Sequence, residues 1–160
     1  KFEGFLHFPD TAIRRRIIQL LAKIDHPDAK QLLLRFLDDP DEAAQIEAVR
    51  AVGEAKAKEA VFKLIEILKS GSTLRLEEAC LALGKIADGS AVPALAEMLE
   101  AKGGLFKRKT AIEETVRIRA AWALAQTKTS EARGVLSRCV KDPNLQIQSI
   151  ARQAIESQLM

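Results

Sequence analysis

Few residues in this chain are of a type that could do chemistry. Cys80 and Cys139 are its only thiols, and His7 and His26 its only imidazoles. The cysteines are 59 positions apart and fall on different predicted helices, so neither a CxxC site nor a disulfide framework is present. Both read as buried structural thiols. His26 sits in "DHPD", a turn between helices, which predicts a surface role. Two histidines without a positioned third ligand make no metal site. "GKIADGS" has two glycines but follows a helix and lacks the lysine of a phosphate loop. No nucleophile elbow brings a serine or cysteine to a base. The expectation is therefore a chain that is not an enzyme, with no catalytic residues, no metal and no cofactor.

Charge is the other source of chemistry. Among 160 residues, 25 basic and 22 acidic side chains leave a net charge of +3, the even mix of a soluble protein. No apolar run reaches membrane-spanning length and no signal-peptide pattern opens the chain, which predicts a cytoplasmic location. Cations concentrate in "KGGLFKRK", where Gly103 and Gly104 free the backbone, Leu105 and Phe106 supply apolar area, and Lys107, Arg108 and Lys109 supply charge.

The elements that position these residues follow from a repeat. Columns of similar residues recur every 31 positions. Ile17, Ala48 and Ala79 share one column; Leu20, Ala51 and Ala82 the next; Leu21, Val52 and Leu83 a third. A second block holds Ala29, Ala60 and Ala91, then Leu33, Leu64 and Leu95, then Leu37, Leu68 and Leu99. Apolar residues three and four apart within each block define two amphipathic helices per unit. Removing ten residues after Ala101 restores the register at Ala120, Ala123 and Leu124. Units therefore span 9–39, 40–70, 71–101 and 112–142, with an insertion at 102–111 and a final half unit at 143–160. Residues 1–8 read as the end of a second helix from a preceding unit, so the natural protein is expected to extend upstream.

Asp39 before Pro40 and Asp142 before Pro143 read as N-caps with proline at the first helical position. Thr110 and Glu113 form a T-x-x-E capping box that restarts the helix after the insertion. Small residues in the first-helix columns allow close helix packing, since a large side chain there would overpack. The fold predicted is all-α: an α-α superhelix, or solenoid, of helical hairpins in a single domain over residues 1–160.

The segment "ALGKIADGSAVPALAEML", ending at Leu99, together with "VRIRAAWALAQ", Val116 to Gln126, resembles the short HEAT-like repeats of the phycobilin-lyase type. The resemblance covers nearly the whole chain and implies the HEAT fold, which hosts scaffolds, bilin lyases, a DNA glycosylase and a metal-dependent hydroxylase. The His-Glu dipeptides that bind iron in the hydroxylase relatives are absent here. In this class the second helices line the concave surface.

Positions two, six and nine after each second-helix alanine should then be exposed. They are Gln31, Arg35 and Asp38; Phe62, Glu66 and Lys69; Pro93, Glu97 and Glu100; Gly134, Arg138 and Lys141. Four bases balance four acids, which suits a protein segment of mixed charge better than a phosphate backbone. The expected partner site comprises Arg35, Phe62, Glu66, Glu97 and Arg138 on this surface, joined by Trp122 and by Leu105, Phe106, Lys107, Arg108 and Lys109 of the insertion. The insertion reads as a peptide-binding hook, a strap on its own repeats, or an anion contact.

The reading favoured is a non-enzymatic scaffold for a protein or peptide partner. A nucleic-acid-binding solenoid and a bilin lyase-like subunit are the alternatives, and self-association through open solenoid ends is a further possibility.

Overall fold

The computed structural model describes Gly4, residues 8–100 and residues 113–156. Among these residues nine α-helices follow one another without a strand: α1 (Thr11–Leu21), α2 (Pro27–Phe36), α3 (Glu42–Glu54), α4 (Val61–Ser70), α5 (Thr73–Ile86), α6 (Val92–Glu100), α7 (Glu114–Thr127), α8 (Ser130–Ser137) and α9 (Leu145–Glu156). None of the helices among the described residues is long and apolar enough to cross a membrane.

The odd-numbered helices stack on one another in chain order, α1 on α3, α3 on α5, α5 on α7 and α7 on α9. The even-numbered helices form a second layer against them, so the chain is an α-solenoid as the columns predict. Ala48, Ala79, Ala120 and Ala151 are fully buried between neighbouring odd helices. Leu33, Leu64, Leu95 and Leu136 form the matching buried row on the even helices. One continuous core thus runs the length of the stack.

How closely the odd helices approach is measured at their glycines. A Cβ built on Gly53 of α3 would lie 2.8 Å from the Cα of Ala82 on α5. One built on Gly84 of α5 would lie 3.0 Å from the Cα of Ala123 on α7 and 2.4 Å from Cζ3 of Trp122. Glycine on one helix and alanine on the next are what this spacing admits.

Helix starts are capped by short polar side chains. Asp10 accepts from the Ala12 amide at 2.7 Å, Asp41 from Ala43 at 2.9 Å, Thr129 from Ala132 at 3.1 Å and Asn144 from Gln146 at 2.9 Å. The caps expected at Asp39 and Asp142 are therefore two residues further on. His26 caps α2, its Nδ1 accepting from the Asp28 amide at 3.2 Å, consistent with a surface role. The capping residue Thr110 lies outside the described residues. Helix α7 begins at Glu114, and the Glu113 side chain makes no cap; it accepts instead from Thr73 Oγ1 at 3.0 Å. Lys56, Ala87 and Lys128, one equivalent position in three hairpins, follow α3, α5 and α7 in the left-handed region at φ 47°, 57° and 54°.

Candidate partner-binding face and the ion pairs behind it

All twelve positions read from the second-helix columns are exposed. Phe62 on α4 is the most open aromatic of the described residues, at 71% exposure, and Glu66 follows it one turn later. On α6, Pro93 and Glu97 occupy the equivalent places. The structure thus brings Arg35, Phe62, Glu66, Glu97 and Arg138 onto one face of the even-helix layer.

Ion pairs link its repeats at both flanks. Lys63 Nζ of α4 donates to Asp38, at the end of the preceding hairpin. Arg138 donates from Nη2 and Nε to Glu100 Oε1 at 2.6 and 3.0 Å. Glu66 and Glu97, between them, form no ion pair among the described residues. The central band is therefore acidic with its carboxylates open, while the flanking acids Asp38 and Glu100 are already neutralised.

Trp122 does not join this face. It lies on α7, in the other layer, half-buried with its indole over Gly84. Glycine at position 84 makes room for it to fold down against the core. Leu105, Phe106, Lys107, Arg108 and Lys109 lie outside the described residues.

Behind the face are two buried ion pairs that sequence reasoning missed. Arg14 on α1 donates from Nε and Nη2 to the two carboxylate oxygens of Asp39 at 2.8 and 2.9 Å. Arg117 on α7 donates from Nη2 to Asp142 at 2.7 Å, from Nη1 to both oxygens of Glu114 at 3.1 Å and from Nε to the Leu99 carbonyl at 2.9 Å. All four of Arg14, Asp39, Arg117 and Asp142 are buried. Burial works to raise the pKa of Asp39, but the Arg14 hydrogen bonds and the Asp41 amide outweigh it and hold the carboxyl below its ordinary value. Hydrogen bonding to Asp39 raises the Arg14 guanidinium.

A sequence signal existed. Arg and Asp are 25 residues apart in both pairs, and the equivalent positions in the two middle units hold Gln45 with Ser70 and Leu76 with Ala101. The charges are present together or absent together. Their burial also removes Arg14 and Arg117 from any basic surface patch. Arg15, 3.8 Å from Glu47, and Arg50, 2.6 Å from Glu78, are engaged in ion pairs across the odd helices.

Cys80 and Cys139 are free and buried. Burial, reinforced by Glu77, pushes the Cys80 thiol up to about 12. Burial, with Asp142 and Glu100 next, also raises Cys139. Neither is poised as a thiolate nucleophile. Cys139 lines a cavity of about 210 Å³ with Leu99, Glu100, Arg117, Arg138, Lys141 and Asp142.

These features define a helical-hairpin solenoid with a polar, partly acidic face on its even helices. Its sequence matches the HEAT repeats profile over residues 3–77 and 35–114, and the PBS lyase HEAT-like repeat over residues 116–142. The chain belongs to the HEAT-repeat family. No curated protein matches it. Among solved structures, it is similar to a chain in the complex of CpcE and CpcF of phycocyanin lyase from Nostoc sp. PCC7120, with TM-score 0.76 and 22% identity over 95% of this chain and 61% of that one. It is also similar to an engineered protein, with TM-score 0.67 and 21% identity over 96% of this chain and 76% of that one. The chain thus spans about three-fifths of the phycocyanin-lyase chain it resembles.

These findings correct the expectation that the chain is not an enzyme. The repeat at 116–142 is of the PBS lyase type, and a lyase subunit shares the fold, so the lack of a familiar catalytic motif is no argument against lyase activity.

Proposed function

We propose that this chain, a single HEAT-like domain over residues 1–160, is part of a lyase subunit of the bilin-attaching type that holds a protein partner on its even-helix face. The observation that carries the reading is the PBS lyase-type repeat at 116–142, which contains Arg117 and Arg138. These two residues line the cavity beside Leu99 and Cys139. A bilin is an elongated tetrapyrrole with carboxylate side chains. Lys141, exposed at the cavity mouth, and Arg138, on exchanging Glu100 for the ligand, are the cations beside the cavity that can meet such groups. Because Cys80 and Cys139 are buried with raised thiol pKa values, the thiol that accepts the bilin belongs to the partner. A protein partner also agrees with the CpcE–CpcF neighbour, which is itself a complex.

The test is chromophore attachment by the full-length protein, together with the proteins that co-purify with it, on an apo-phycobiliprotein supplied with free bilin. Covalent bilin is read by fluorescence in a denaturing gel. Faster attachment than in a protein-free control supports the reading, and Arg138→Ala should slow it severalfold. Attachment no faster than the control overturns it.

A further inference from the structure

Two parallel rails run across α4 and α6: an apolar one of Phe62 and Pro93, and an acidic one of Glu66 and Glu97 four residues further along each helix. All four side chains are exposed. Of the four acids among the twelve column positions, Asp38 is paired with Lys63 and Glu100 with Arg138, which leaves Glu66 and Glu97 as the open carboxylates of that set. Lys69, exposed a turn beyond Glu66, sets the far edge of the band. The surface therefore complements a partner that is apolar along one edge and cationic along the adjacent one.

Spacing narrows the partner further. Neighbouring helices of one layer lie about 10 Å apart. A polyproline II segment advances about 3.1 Å per residue with three residues per turn, so side chains at i and i+3 share one edge about 9 Å apart. A β-strand would put i and i+3 on opposite faces. We infer that the even-helix face binds a proline-rich, basic segment of a protein partner in the polyproline II conformation, with Lys or Arg at i and i+3 over Glu66 and Glu97 and prolines against Phe62 and Pro93. This deepens the proposed partner-binding role of the face and rests on it, but not on lyase chemistry. Preformed polyproline II segments lose little entropy on docking to aromatic surfaces, which favours this occupant.

The probe is a fluorescein-labelled ten-residue proline-rich peptide with two lysines three positions apart, titrated into the full chain without bilin and followed by anisotropy. Expected is saturable binding that weakens about two- to fivefold with Glu66→Gln or Glu97→Gln, and about tenfold with Phe62→Ala. Moving the lysines to two positions apart should weaken binding comparably, whereas Glu131→Gln, an exposed carboxylate on α8, should leave it unchanged. No binding, or binding indifferent to both glutamates and to lysine spacing, overturns the inference. So does a concentration-dependent dimer that Phe62→Ala dissolves, since the occupant would then be a second copy. The peptide result stands or falls independently of chromophore attachment, so failure of one reading is distinguishable from failure of the other.

Discussion

The indole of Trp122 on α7 occupies the place where a side chain on Gly84 of α5 would stand, with Cζ3 2.4 Å from an ideal Cβ position. The glycine is what lets a large aromatic pack against a helix that is otherwise alanine-spaced. Gly84→Ala should destabilise the protein by about 1–3 kcal/mol through overpacking, measured as a lower urea midpoint. In a Trp122→Ala background, itself less stable, Gly84→Ala should cost less but not nothing, because the Ala123 backbone at 3.0 Å remains.

The Arg14–Asp39 pair makes a sharper prediction. Removing one partner of a buried ion pair leaves the other uncompensated and costs about 3–5 kcal/mol, whereas replacing both with apolar residues can be near neutral. Asp39→Ala alone should lower chemical stability by that amount. The double variant Arg14→Leu with Asp39→Ala, which copies Leu76 and Ala101 of the third unit, should return most of it.

Acid should act through the same carboxylate. Because the folded-state pKa of Asp39 is depressed, its stabilising contribution is fully present above the unfolded value near 3.9. That contribution is lost as pH falls below about 4 towards the folded pKa. Urea midpoints measured from pH 6 to pH 2 should therefore drop less steeply below pH 4 in the double variant than in the wild type.

The thiols offer a kinetic test. With its pKa pushed up to about 12 and no exposed surface, Cys80 should resist a thiol-specific reagent in the native protein and react promptly once unfolded. Rapid native labelling of Cys80 would show that α5 opens locally.

Backbone strain is measurable too. Ala87 follows α5 at φ 57°, a conformation that favours glycine over alanine by about 1 kcal/mol. Ala87→Gly should raise the thermal midpoint by a few degrees.

The hairpins were legible because alanine and leucine columns repeat at fixed spacing, and close packing leaves those residue types little freedom. The twelve exposed second-helix positions followed from the same arithmetic. The fate of Asp39 and Asp142 was not legible: an aspartate before proline has the local chemistry of a cap, and only the approach of an arginine 25 residues away diverts it into the core. Trp122 was misplaced for a similar reason. A side chain on an outward column can still be drawn down by a glycine on the neighbouring helix, and helical periodicity within one unit does not register that. Which acids of the even-helix face remain open depends on side-chain pairing across repeats, such as Arg138 with Glu100, which column position does not fix.

The two arginine–aspartate clamps sit in the first and fourth hairpins, and the two hairpins between them have none. Each clamp ties the start of an odd helix to the segment that leaves its even partner. In mechanical terms the stack is a spring of uneven stiffness, braced by buried ion pairs towards its ends and held at its centre by apolar contact and by exposed ion pairs such as Arg50–Glu78. Apolar contact is non-directional and tolerates sliding where a bidentate ion pair does not. Elastic deformation should therefore concentrate between α3 and α6, under the rails of Phe62, Pro93, Glu66 and Glu97.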